Sequence, residues 1–189
     1  MADRKQQIIE AAAKSFSLFG YKATTMDQVA KLANVGKGTI YTFFNNKEEL
    51  FAEIIHSVIQ EMKVVAEEAF QANLPFHERI HAVLFQILEF RKKHQLMIKL
   101  FQEQKEMGTP AVREVLEQVE NVILNYMKDK IIIAVENGEV RKCDPELTAF
   151  VMLKLYTSLI FEWEKNHPPL TKEQIASLFE QYIFIGLST

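Results

Sequence analysis

Apolar residues recur every three or four positions along almost the whole chain, with few of the alternating runs that half-buried strands need. That regularity leaves little room for any fold that is not all-α. The first stretch shows it. Ile8, Ile9, Ala12, Phe16 and Phe19 share one helical face, and Gly20 supplies the left-handed residue that closes the helix. Thr25-Met26-Asp27-Gln28 is a capping box, in which the Thr25 hydroxyl satisfies an orphan amide while Gln28 reaches back. A short helix then runs to Ala33, Asn34-Val35-Gly36 makes a turn, and a second short helix covers Lys37 to Phe43.

Start and stop signals divide the remainder in the same way. Asn46 with Glu49 opens a long helix to about Gln71, and Leu74-Pro75 breaks it. The next helix points Ile80, Val83, Leu84, Ile87 and Leu88 inward and ends in Arg91-Lys92-Lys93, a basic end that suits the helix dipole. A shorter segment spans Leu96 to Met107, and Thr109-Pro110 starts a helix that stops at Asn137-Gly138. Asp144-Pro145 opens another to about Asn166, and Thr171 with Gln174 caps the last after Pro168-Pro169. About nine helices, no strand and no internal repeat are expected. With only 6 Gly and 5 Pro in 189 residues, little else interrupts them.

The net charge of −3 argues against a nucleic-acid partner until its distribution is read. Residues 1–47 carry seven Lys/Arg against three Asp/Glu, a balance of +4, and the remainder is at −7. A basic head on an acidic body points to a local polyanion site. The single cysteine, Cys143, cannot form an internal disulfide, which suits a reducing compartment. The amino terminus has no apolar signal core, and the run from Phe150 to Phe161 is interrupted by Lys154 and too short to span a bilayer. A cytoplasmic protein without a membrane partner is expected.

Two short helices joined by a three-residue turn on a basic segment have the form of a helix-turn-helix. Val29, Ala30 and Ile40 must pack closely between them, while Asn34 and Gly36 tolerate unusual turn dihedrals. Lys37, Gly38, Thr39, Tyr41 and Thr42 are left pointing outward, and Tyr41 and Lys47 can donate to phosphate oxygens. Residues 4–50 resemble the DNA-binding domain of the TetR family of one-component repressors. The stretches that carry the likeness are Ile8-Ile9-Glu10-Ala11-Ala12 with Phe16 and Phe19-Gly20-Tyr21; Thr24 to Ala30; Val35-Gly36-Lys37-Gly38-Thr39-Ile40-Tyr41; and Phe44 with Lys47-Glu48-Glu49-Leu50. Two positions depart from the family pattern. Gly36 stands where a capping serine is common, and Phe43 where members often carry His or Tyr.

The resemblance implies a helix-turn-helix domain over 1–46 and a helical ligand-binding and dimerisation domain over 47–189. It implies a homodimer on a near-palindromic double-stranded operator, released by a small lipophilic effector, and no enzyme, cofactor or metal. The DNA-contacting set is Thr25, Gly36, Lys37, Gly38, Thr39, Tyr41, Thr42 and Lys47. Aromatic and methionine residues of the middle helices, Phe85, Met97, Phe101, Ile123, Tyr126, Met127, Met152 and Tyr156, are the candidates for an effector cavity. The helix from Leu147 to Trp163 has almost no polar face and must be covered on all sides. Val151, Leu155 and Leu159 on it, with Leu178, Phe179 and Tyr182 on the last helix, are therefore the candidate dimer contacts.

One competing motif stands outside this reading. His77-Glu78-Arg79-Ile80-His81 matches the H-E-x-x-H pattern of zinc peptidases, so the alternative is a zinc-dependent hydrolase using His77, Glu78 and His81. Arg79 beside the metal and the lack of a third ligand, beyond the nominal Glu103 and Glu106, favour a solvated helix start. Cys143 between Lys142 and Asp144 reads as a spectator thiol.

Overall fold

The computed structural model describes residues 2–70 and 73–185, and the architecture among them is helical throughout, with no strand. The nine α-helices are α1 (Ala2–Phe19), α2 (Met26–Leu32), α3 (Lys37–Tyr41), α4 (Lys47–Ala69), α5 (Phe76–Lys93), α6 (Gln95–Met107), α7 (Pro110–Glu136), α8 (Pro145–Thr157) and α9 (Lys172–Phe179). Gln71, the expected end of α4, lies outside the described residues. None of the described helices is long and apolar enough to cross a membrane.

Packing divides the chain into two compact units, each built from more than one stretch of sequence. The first unit comprises residues up to Glu61 together with Arg91–Val119; the second comprises Met62–Phe90 and Glu120 onward. The division falls within α4, α5 and α7. It assigns α6 to the same unit as the helix-turn-helix, because α6 packs against α1.

In the first unit Ile8, Ala12 and Phe16 of α1 are buried with Val29, Ala30 and Ile40 of the helix-turn-helix and with Leu50 and Phe51 of α4. Phe16 and Phe51 meet edge to face at 5.2 Å, and Tyr21 tilts against Phe51 at 4.6 Å. Each such aromatic pair contributes about 0.5–1.5 kcal/mol beyond its buried area.

In the second unit the core is built from Ile80, Val83, Leu84 and Ile87 of α5, Met127 and Ile131 of α7, and Met152 and Tyr156 of α8. The helix opened by Asp144, whose carboxylate accepts the Glu146 and Leu147 amides, does not run unbroken to Asn166. It widens into a π-turn over Ser158–Glu162 and tightens into a 3₁₀ turn over Trp163–Lys165. The Thr157 hydroxyl donates to the Lys154 carbonyl at 3.1 Å, a local bond that competes with the helix ladder at that point. The last helix ends in the same way, with a π-turn over Glu180–Ile185.

Candidate nucleic-acid interface

The reading unit is assembled from local signals. At Thr25 the hydroxyl accepts the Gln28 amide at 3.3 Å, while Gln28 Oε1 accepts the Thr25 amide at 2.9 Å, so α2 starts on the expected capping box. It stops on a Schellman motif. Asn34 takes φ of 54°, the Val35 amide donates to the Ala30 carbonyl at 3.0 Å, and the Asn34 amide donates to Lys31 at 3.1 Å. Gly36, expected to share the unusual dihedrals, does not. It is extended at φ −65°, ψ 148°, and opens α3 with no side-chain cap, as the missing hydroxyl implies.

On α3 only Ile40 is buried. Lys37, Gly38 and Thr42 are exposed, Tyr41 is 43 % exposed and Thr39 is half-buried, so one face of the helix is presented outward. A Cβ placed on Gly38 would find no heavy atom within 4 Å. Nothing inside the chain requires a glycine there. The Lys37 ammonium pairs with Asp27 at 2.9 Å, a hydrogen bond that holds it above the ordinary lysine range. The Thr42 hydroxyl donates to the Thr39 carbonyl at 2.7 Å, leaving its lone pairs outward.

Lys47 serves a purpose the sequence did not suggest. Its Nζ donates to the Tyr21 and Thr24 carbonyls at 2.9 and 3.0 Å and lies 4.1 Å from the centre of the Tyr21 ring. The Tyr21 hydroxyl donates to Glu48 at 2.6 Å. Burial, reinforced by that carboxylate, pushes the phenol well above its ordinary value, and the same bond holds Glu48 below the usual carboxylate range. Lys47 is thus turned inward onto the turn before α2.

The candidate effector residues divide between the two units. Met97 and Phe101 fall in the first unit and the other six in the second. Phe101 lies 3.4 Å beneath the Arg91 guanidinium, and Met127 and Tyr156 are fully enclosed. Only Met152 lines a described cleft. That cleft, about 660 Å³, is walled by Val140, Leu147, Val151, Ile183 and Phe184, with Arg141 and Cys143 beside them.

The H-E-x-x-H segment is a solvated helix start only in part: Glu78 is exposed and His77 half-buried, but Arg79 and His81 are not, which corrects the reading above for those two. Arg79 is buried, with its guanidinium 5.0 and 5.5 Å from the Phe70 and Phe76 rings and in an ion pair with Glu139. His81 is 7 % exposed. Its Nδ1 meets the Tyr156 hydroxyl at 3.1 Å, its Nε2 is buried without a partner, and burial lowers its pKa to about 4. Glu103, the nominal third ligand, belongs to the other unit and binds the Tyr21 and Lys22 amides. Among the described residues no three His, Cys, Asp or Glu side chains are grouped to hold a metal.

Of the candidate dimer contacts, Val151 and Tyr182 are exposed and Leu155, Leu159 and Leu178 are half-buried. Phe179 is 2 % exposed, packed 4.9 Å from Tyr156 in its own chain, and is removed from the list of surface contacts. Leu147 and Phe150, not singled out from the sequence, extend the exposed apolar face of α8.

Comparison with known proteins agrees with the helix-turn-helix. The profile of the bacterial regulatory proteins of the tetR family matches residues 8–54, and that of the tetracyclin repressor-like C-terminal domain matches residues 73–187. The HTH-type transcriptional regulator YhgD of Bacillus subtilis (strain 168) is 64 % identical over 186 residues, covering 98 % of this chain and 97 % of its own. The chain belongs to the TetR family of transcriptional regulators. This is a family of regulators and not of enzymes. Two solved structures share the fold at low identity. The fatty acid degradation regulator FadR from Bacillus halodurans superposes with a TM-score of 0.70 at 18 % identity, over 95 % of this chain and 96 % of that one. FadR from Bacillus subtilis, solved in complex with stearoyl-CoA, gives 0.68 at 20 % identity, over 92 % and 94 %. The TetR profile boundary near residue 54 also leaves α6, and with it Glu103, outside the DNA-binding segment that sequence comparison recognises.

Proposed function

We propose that this TetR-family regulator is a ligand-released repressor that binds a near-palindromic operator as a homodimer. The observation that carries the DNA-reading part is Gly38. A glycine near the start of a helix costs up to about 1 kcal/mol relative to alanine. The space around it is open in the isolated chain, so the reason for a glycine lies outside the chain, in the close approach of a nucleic acid backbone or base edge. Lys37, Thr39, Tyr41 and Thr42 surround it with donors and acceptors suited to bases and phosphates.

A second copy would cover the exposed apolar face of α8 and set two α3 helices roughly 34–36 Å apart, one DNA turn. Leu147 and Val151 belong both to that face and to the wall of the apolar cleft, which favours a lipophilic effector felt by the assembly. The stearoyl-CoA complex of the B. subtilis FadR makes long-chain acyl-CoA the first compound to test. Linkage demands reciprocity: an effector that loosens operator binding must itself bind the DNA-bound form less tightly, by the same factor.

The test is enrichment from random duplex DNA, followed by Gly38→Ala and by titration with stearoyl-CoA. Gly38→Ala should leave Tm unchanged or slightly raised while operator affinity falls by about tenfold or more, one good contact's worth. Unchanged affinity would remove the basis for placing DNA on this face. Acyl-CoA that binds without moving operator affinity would leave the regulator but exclude this effector class.

A further inference from the structure

We propose that Glu103 is a positioning residue for operator binding, so that α6 is a working part of the DNA-reading head. The proposal rests on α3 being the reading helix. Glu103 is 5 % exposed, and its two oxygens divide the work: Oε2 accepts the Tyr21 amide at 2.7 Å and Oε1 accepts the Lys22 amide at 3.1 Å. A carboxylate is taken out of water only where donors replace the water, and here both donors belong to one turn.

Gly20 has two reasons to be glycine. At φ 86° it closes α1, and a Cβ on it would stand 2.4 Å from Glu103 Oε2. The carbonyl side of the same turn is held from elsewhere. Lys47 of α4 donates to Tyr21 and Thr24, and the Thr24 hydroxyl donates to the Gly20 carbonyl at 2.8 Å. Thr25 follows as the N-cap of α2. The path from α1 to α2 is therefore gripped on its amide side by α6 and on its carbonyl side by α4. Releasing the amide side lets α2 change its pose on α1, and α3 moves with α2 because the Schellman turn joins them tightly.

The test uses the full chain and duplex fragments enriched by the wild-type protein. Glu103→Gln keeps the size but faces one amide with a second donor. Affinity for the enriched fragments should fall about tenfold or more, the worth of a charge-assisted bond. Affinity for unrelated duplex, set by surface cations, should change less than about threefold. Amide exchange at Tyr21 and Lys22 should accelerate in parallel. Ile87→Ala, a truncation in the core of the second unit, provides the control: it lowers Tm without loss of selectivity in the folded protein. Selectivity preserved or raised in Glu103→Gln, with Tyr21 and Lys22 deprotected, overturns the proposal. So does a loss of selectivity in Ile87→Ala equal to that in Glu103→Gln. If Glu103→Gln does not fold, Gly20→Ala displaces the same carboxylate and is held to the same outcomes. A wild-type chain that enriches no fragment refutes the reading of α3 first, and this proposal with it.

Discussion

His81 shows how a single residue can be misjudged from its neighbours in sequence. Two histidines four apart on a helix behind a proline look either solvated or metal-binding, and the spacing alone offers nothing else. What decides the matter is Tyr156, 75 residues away, whose hydroxyl meets His81 Nδ1 inside the second unit. The burial that follows makes the imidazole a pH-dependent contributor to stability. Its folded-state pKa is about 4, against an ordinary 6.5. Between those values the unfolded chain takes up a proton that the folded chain refuses. The contribution is therefore full above pH 6.5 and is lost as pH falls towards 4, by up to about 1.4 kcal/mol per unit. Urea unfolding of wild type and His81→Gln at roughly pH 7 and roughly pH 5 checks this, and the wild type should lose more on acidification. Equal losses would mean that the histidine is hydrated after all.

At the scale of elements, the sequence was most legible where structure is set within a few residues. The capping boxes at Thr25 and Thr171, the Asp144 cap, the Gly20 stop and the Asn34 turn depend on partners no more than five positions away, and all are present. What escaped were bonds between elements far apart in the chain. Lys47 sits at the first position of α4, where a lysine beside a DNA-reading unit suggests phosphate. Only the fold shows that two carbonyls of the turn over 21–24 occupy it. Lys47→Ala should then cost about 1–2 kcal/mol in urea unfolding, because it strands two part-buried acceptors. The log–log salt slope of DNA binding should change by less than about half a unit. A slope lower by a full unit would restore Lys47 to the phosphate contacts. The π-turn after Thr157 was equally invisible, since Leu147 to Trp163 is mostly apolar and Thr157 and Ser158 alone do not announce a change of pitch.

For the whole molecule the open quantity is assembly. Leu147, Phe150 and Val151 of α8 and Tyr182 beyond α9 are apolar or aromatic and exposed, a surface that a second copy would cover in the proposed homodimer. Val151→Glu combined with Tyr182→Glu should give a folded monomer, seen as half the mass in light scattering with an unchanged circular dichroism spectrum. A dimer that survives both charges has its interface elsewhere. Phe179 is unsuitable for this test, because its ring lies in the core of its own chain, where a charge would unfold the unit instead of separating subunits.

On the proposed role of Glu103, its grip on Tyr21 would also set the earliest moment at which the reading head is complete. The two residues are 82 positions apart, and a ribosome adding about 5–20 residues per second takes roughly 4–16 s to get from one to the other. Early in that interval the helix-turn-helix sequence is completed, well before the carboxylate that holds the turn ahead of α2 has been made. A chain abandoned before α6 would carry the basic head without its selectivity. If Glu103 aims α2 as proposed, the late arrival of one carboxylate would withhold accurate DNA reading from unfinished copies.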